Sequence, residues 1–116
     1  MMHKQLSPKP DHVRILFELP AELRVDQVFL VGDFNNWDAS ATPFIQTRDG
    51  TWRATVDLPT QTCHAFCYLV GTRWQNEHQA DGWTQSTDGR LLSMVEATLA
   101  ERESDRRWQK IFSTTH

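Results

Sequence analysis

The stretch Thr51 to Leu58 alternates strictly: Trp52, Ala54, Val56 and Leu58 fall on one side, Arg53, Thr55 and Asp57 on the other. A period of two lines the apolar side chains along one face of an extended strand, whereas on a helix it would scatter them around the axis. Asp49-Gly50 just before it is a tight-turn dipeptide, which predicts Pro43 to Arg48 as its hairpin partner. A hairpin with one apolar face must bury that face against further structure.

The remaining pattern supplies that structure. Val13, Ile15, Phe17 and Leu19 alternate with Arg14, Leu16 and Glu18 up to Pro20, predicting a strand. Val28 to Val31 is apolar on both faces and reads as a central strand. Cys63 to Val70 places His64, Phe66, Tyr68 and Val70 on one face and Ala65, Cys67 and Leu69 on the other. Gly71-Thr72 then turns the chain back through Arg73-Trp74-Gln75, and Leu91 to Leu99 closes the set. The expectation is an all-β, antiparallel sandwich of about six to eight strands. A chain of 116 residues accommodates one such domain without metal or disulfide staples.

The ends read differently. Residues 1–11, with Pro8 and Pro10 among polar neighbours, are expected to be a loose arm, and the sandwich to span 12–98. The segment 99–116 is a charged tail. Over Ala97 to Phe112 it lacks Gly and Pro and favours a short helix with Trp108, Ile111 and Phe112 on one small apolar edge.

Charge and spacing exclude several functions. Twelve Lys and Arg stand against fifteen Asp and Glu, for a net charge of −3, so a nucleic-acid footprint is missing. No apolar run approaches the roughly 18 residues of a membrane span, and a cytoplasmic location is the expectation. Cys63 and Cys67, four apart on one strand, would hold their Cα atoms about 13 Å apart, beyond the reach of a disulfide. The scattered His3, His12, His64, His78 and His116 have no metal-ligand spacing, so neither metal nor cofactor is expected. Asp33 with Asp38, or Glu77 with Asp81, are the carboxyl pairs that a glycosidase would need, but turn-forming roles explain them more simply. Cys67 reads as a small apolar filler. The chain is therefore read as non-catalytic.

Five tryptophans are more than the core pattern uses. Trp52 belongs to the core by alternation. Trp37 instead lies in the polar loop Asp33-Phe34-Asn35-Asn36-Trp37-Asp38, and Trp74 follows a turn; Trp83 lies in a loop where core and ligand roles stay open. A flat indole beside amides suits sugar binding, because the C–H face of a pyranose packs on the ring while Asn and Gln serve the hydroxyls.

Val28-Phe29-Leu30-Val31-Gly32-Asp33-Phe34-Asn35-Asn36-Trp37-Asp38, then Asp49-Gly50-Thr51-Trp52, then Phe66-Cys67-Tyr68-Leu69-Val70 ahead of Arg73-Trp74, resembles the family-48 carbohydrate-binding modules. These include the glycogen-binding domain of AMP-activated protein kinase β subunits and the N-terminal early-set domains of isoamylases and branching enzymes. The resemblance covers about residues 12 to 98, and Gln79-Ala80-Asp81-Gly82-Trp83 extends it. It implies an immunoglobulin-like early-set sandwich that binds α-1,4-glucan: glycogen, starch or maltooligosaccharide. Trp37 and Trp74 match its two stacking tryptophans, with Asn36 and Asn76 orienting hydroxyls. The family's sugar-contacting lysine falls on Cys67, its late asparagine on Leu92, and its Asp-Gly turn on Gly71-Thr72. Gln75, Asn76, Trp83 and Arg90 stand as substitutes for the lost polar contacts. The alternative is a protein-interaction module with a degenerate sugar site, serving as partner or regulator of a glucan-active enzyme.

Overall fold

The computed structural model describes residues 1–99, and in them nine strands form two antiparallel sheets packed face to face as an immunoglobulin-like β-sandwich. The strands are β1 (Met2–Leu6), β2 (His12–Leu19), β3 (Val28–Gly32), β4 (Ile45–Gln46), β5 (Trp52–Pro59), β6 (Cys63–Val70), β7 (Arg73–Gln75), β8 (Gly82–Gln85) and β9 (Leu91–Glu96). One sheet runs β1-β2-β5-β4 and the other β3-β6-β9-β8. β7 also pairs with β6. Apart from the 3-10 turn Asp33–Asn35, no helix occurs among the described residues, and none there is long and apolar enough to cross a membrane.

Alternation decides which side chains meet between the sheets. Val13, Ile15, Phe17 and Leu19 of β2 face inward with Trp52, Ala54 and Leu58 of β5, against Val28, Leu30, Phe66, Tyr68 and Val70 from the other sheet. At the centre, Phe17, Phe66 and Tyr68 pack edge to face with ring centroids 5.1 to 6.3 Å apart. Each such pair adds about 0.5–1.5 kcal/mol beyond the area it buries.

β6 carries the second sheet. One edge pairs with β3 over Phe66 to Val70. The opposite edge is divided, with β9 on Cys63 to Phe66 and β7 on Tyr68 to Val70. β7 and β9 therefore follow one another along the same edge.

Four expectations need revision. Residues 2–6 are not a loose arm: β1 pairs with β2 in full register, from Met2 opposite Phe17 to Leu6 opposite Val13. Its anchors are long-range and invisible to local pattern, since Lys4 Nζ donates to Asp81 at 2.7 Å and the Met1 ammonium meets the buried Glu77 carboxylate. β3 is not central but stands at the end of its ladder. Both its faces are apolar because Val28 and Leu30 pack between the sheets while Val31, helped by Phe29, packs outward with Cys67 and Leu92; the 42–44 segment bonds its outer edge, through Leu30 N–H to Thr42 O (2.8 Å) and Phe44 N–H to Val28 O (2.7 Å). Trp83 sits on a strand, β8. Finally, β9 ends at Glu96 and residues 97–99 are not helical; the rest of the expected tail helix lies outside the described residues.

Candidate functional site

Alternation along β6 gives its sheet a second apolar side. Cys67 faces outward with its strand partner Val31 and with Leu92 of β9, and these three are buried together with help from Phe29, Ala39, Ala65 and Leu69. Over them runs an open groove of about 410 Å³. Val31, Cys67 and Leu92 form its floor, Trp37 and Trp74 its walls, and Ser86, Thr87, Asp88 and Arg90 its rim. Both walls are 43% exposed.

Trp37 reaches the groove from a loop tied at several points. The Asn35 amide accepts from Gly32 N–H (3.1 Å) and donates to Leu30 O (2.9 Å) and Thr42 Oγ1 (3.0 Å), filling the inside of the turn. Asn36 and Trp37 both take left-handed backbone, with φ of 59° and 57°, and Trp37 N–H closes back onto Gly32 O at 2.9 Å. Two consecutive non-glycine residues in that region cost of order 1 kcal/mol each, so the surrounding bonds must hold them there. Gly32 is required by space: a Cβ would lie 2.6 Å from the Phe34 ring and 2.9 Å from the Ala65 carbonyl. Asp33 completes the anchorage by accepting from Ala65 N–H (3.1 Å) and from His64 Nδ1 (2.7 Å).

Trp74 is placed by β7. Gly71, at φ 61°, turns the chain back so that Trp74 pairs with Leu69 and projects on the Cys67 side of the sheet. Asn76 then fastens β7 to β9, its amide donating to Leu91 O (3.0 Å) and accepting from Ser93 Oγ (2.8 Å). The Arg90 guanidinium lies 5.1 Å from the centre of the Trp74 ring, a cation–π contact. Beside it, Asp88 is turned into its own hairpin. The Ser86 hydroxyl, then Arg90 N–H (3.3 Å), hold its carboxyl below the usual aspartate value.

Of the expected site residues, Trp37, Trp74 and Arg90 come together on the groove; Asn36, Gln75, Asn76 and Trp83 do not line it. Gln75 follows Trp74 on one strand and so projects to the opposite face. Trp83, 50% exposed, pairs with Ser93, which pairs in turn with the core residue Phe66, so it lies on the inner side of its sheet. Asn76 is committed to the β7–β9 link, and Asn36 serves the turn. The rim residues Ser86, Thr87 and Asp88 escaped sequence reasoning, although Thr87-Asp88-Gly89 carries a turn signature.

Cys67 and the carboxyl groups singled out from sequence each have defined surroundings. Burial pushes the Cys67 thiol up from its ordinary value, so it stays protonated at neutral pH and nucleophilically inert. The carboxyl pairs considered for hydrolysis are each engaged separately. Asp33 holds His64 and Ala65, and Asp38 accepts from Ser40 N–H and Oγ, both at 2.9 Å. Asp81 takes Lys4 and Glu96 N–H (2.8 Å), while Glu77 is buried with the Tyr68 hydroxyl (2.8 Å), Gln79 N–H (2.7 Å) and the Met1 ammonium. Among the described residues no cluster of three His, Cys, Asp or Glu could share a metal ion. Thr62, His64 and Asp33 form a hydroxyl–imidazole–carboxylate chain, whose Thr62 hydroxyl also reaches Pro59 O at 2.6 Å.

No protein-family model matches the chain, and no curated protein sequence matches it with significance.

Proposed function

We propose that the groove binds α-1,4-glucan (glycogen, starch or maltooligosaccharide) without catalysis, by stacking sugar rings on Trp37 and Trp74. The observation that carries this reading is that two half-exposed indoles, on loop and strand segments far apart in sequence, wall one open groove. Sugar C–H faces suit such rings, and the polar groups within reach of hydroxyls are Arg90, Ser86, Thr87 and Asp88. Asn36, Gln75, Asn76 and Trp83, named as partners from sequence, give way to that rim. An open groove buries little of its ligand, so affinity should be weak. The test is retention on glycogen or amylose together with a maltoheptaose titration followed by tryptophan fluorescence. Trp37→Ala/Trp74→Ala should abolish both signals; equal behaviour of wild type and double variant would refute the reading.

The apolar floor favours a second reading. Val31, Cys67 and Leu92 offer no hydrogen bond to a hydroxyl, and they suit an apolar side chain of a partner protein, such as a glucan-active enzyme that the module guides or regulates. Binding of such an enzyme that is lost in the double variant, without any maltoheptaose response, would favour it. The tail edge Trp108, Ile111 and Phe112, the other contact considered for that role, lies outside the described residues.

A further inference from the structure

We infer that the groove between Trp37 and Trp74 is a docking site for the chain's own segment 100–116, which lies outside the described residues, with Trp108, Ile111 and Phe112 as the side chains that enter it. The groove asks for an apolar occupant. Val31, Cys67 and Leu92 line it from below with carbon and sulfur, and the two indoles beside them keep 43% of their surface uncovered. Large apolar side chains gain by leaving water for such a place. The sequence holds three of them within one stretch of five residues, at positions 108, 111 and 112.

Where the described chain ends decides which surface that segment meets. β9 runs from Leu92 at the groove floor to Glu96, and these two residues share its outward side, about 13 Å apart at 3.3 Å per residue. Beyond Glu96, Ala97 is tied to the turn between β5 and β6. Its N–H donates to Thr62 O (2.8 Å) and its carbonyl accepts from Gln61 N–H (2.9 Å), and Leu99 packs against the core. Trp108 stands nine residues beyond Leu99, and Phe112 thirteen. Those spans cover about 14 and 20 Å at the 1.5 Å per residue of a helix, and more than twice as much when extended, so either conformation brings the three side chains back to the groove.

The way back is open. Between Glu96 and Leu92 the outward side of the sheet presents Met94 with its two strand partners, Ala65 and Gly82. Two of these three have almost no side chain, and a Cβ at Gly82 would meet only Met94, at 3.8 Å. The result is a shallow trough that leads from the chain's exit into the groove. Charge agrees at the far end: Asp88 stands on the rim, and Arg106, Arg107 and Lys110 flank Trp108 in sequence. The remaining half-exposed indole, Trp83, lies on the inner side of its sheet and is not reached along this trough. Sugar and segment would therefore compete for the same two walls.

The experiment has two arms on the full chain, and only the second rests on the glucan reading. In the first, indole N–H resonances of 15N-labelled wild type are compared with those of Trp108→Ala/Ile111→Ala/Phe112→Ala. The Trp37 and Trp74 signals should shift, while those of Trp83 and of Trp52 in the core stay in place and report an intact sandwich. Unshifted Trp37 and Trp74 signals, or a shift at Trp83 in their stead, overturn the proposal. Where the triple variant folds poorly, a nitroxide on Ser113→Cys in a Cys63→Ser background gives the answer with the apolar side chains kept: it should broaden Trp37 and Trp74 more than Trp83. Equal broadening of all three, or broadening that fades on tenfold dilution and so belongs to a second copy, overturns it. In the second arm, maltoheptaose should bind the triple variant roughly three- to tenfold more tightly than wild type, because a groove filled about 70–90% of the time by its own segment is open for only the remainder. Shifted wall signals with no maltoheptaose binding to either protein sustain the docking and remove the glucan reading. Equal maltoheptaose affinity in the two proteins does the reverse.

Discussion

Replacing Tyr68 by Phe removes one oxygen from the middle of the sandwich and leaves the rest of the ring in place. That ring packs edge to face on Phe17, Phe44 and Phe66 at 5.6 to 6.3 Å, contacts that phenylalanine reproduces. What is lost is the hydroxyl's 2.8 Å bond to Glu77, whose carboxylate is 3% exposed. A hydrogen bond to a charged partner contributes about 1.5–3 kcal/mol. Glu77 still keeps the Met1 ammonium and Gln79 N–H, so it is not orphaned, and the loss should lie at the lower end, about 1.5–2 kcal/mol. In a domain of this size that lowers Tm by roughly 6–8 °C. Urea unfolding at pH 7 should show a reduced midpoint with an unchanged slope. Acid should shrink the difference. Burial works to raise the Glu77 carboxyl, but its bonds to the Met1 ammonium, Gln79 N–H and Tyr68 outweigh burial and hold it below its ordinary 4.5. A carboxyl depressed on folding contributes stability that is fully present above the unfolded value and is lost as pH falls through the lower folded value. Below that point the hydroxyl faces a neutral acid, and the cost of Tyr68→Phe should narrow toward about 1 kcal/mol. A cost under about 0.5 kcal/mol at pH 7, or one that does not narrow in acid, would refute the reasoning.

Three further outcomes follow from the groove and its supports. Gly32→Ala should destabilise the sandwich by about 1–3 kcal/mol in chemical denaturation, because the new Cβ meets the Phe34 ring and the Ala65 carbonyl. Asn76→Ala should lower stability by about 1–2 kcal/mol as β7 loses its tie to β9, with any loss of maltoheptaose binding accompanied by that melting; weakened binding at unchanged stability would instead make Asn76 a direct sugar contact. Alkylation by a maleimide at pH 7, read by mass spectrometry, should modify exposed Cys63 quickly and Cys67 only on unfolding, since Cys67 is buried and its thiol is pushed up.

The sandwich was legible where one strand face is apolar and the other polar: β2, β5 and β6 stand where their alternation puts them. β3 shows the limit of that reasoning. Two apolar faces indicate cover above and below, which the core and the outward Val31–Cys67–Leu92 cluster supply, but they do not report whether a strand or a short segment such as 42–44 bonds the edge. β1 escaped because its energy comes from partners at positions 18, 77 and 81, which no local window contains. At the site, the two wall tryptophans were visible as large apolar groups without an apolar period. Arg90 too lies on the rim, but the amides do not, because an amide's role depends on what its neighbours leave unsatisfied. Asn76 is consumed by Leu91 and Ser93. Gln75 alone was within reach of sequence logic, since adjacent residues of a strand face opposite ways.

The divided edge of β6 gives the groove a built-in measure. The Trp37 loop is bolted to Ala65 and Trp74 is paired to Leu69, so both walls take their positions from points four residues apart on one strand. At about 3.3 Å per residue these anchors stand about 13 Å apart. A strand bonded along both edges stretches little, so the anchor spacing behaves as a gauge cut to one length. Loop changes can tilt either ring or alter the rim without touching that length. A different span would require adding residues to β6 in pairs, because a single insertion would turn one wall to the opposite face of the sheet.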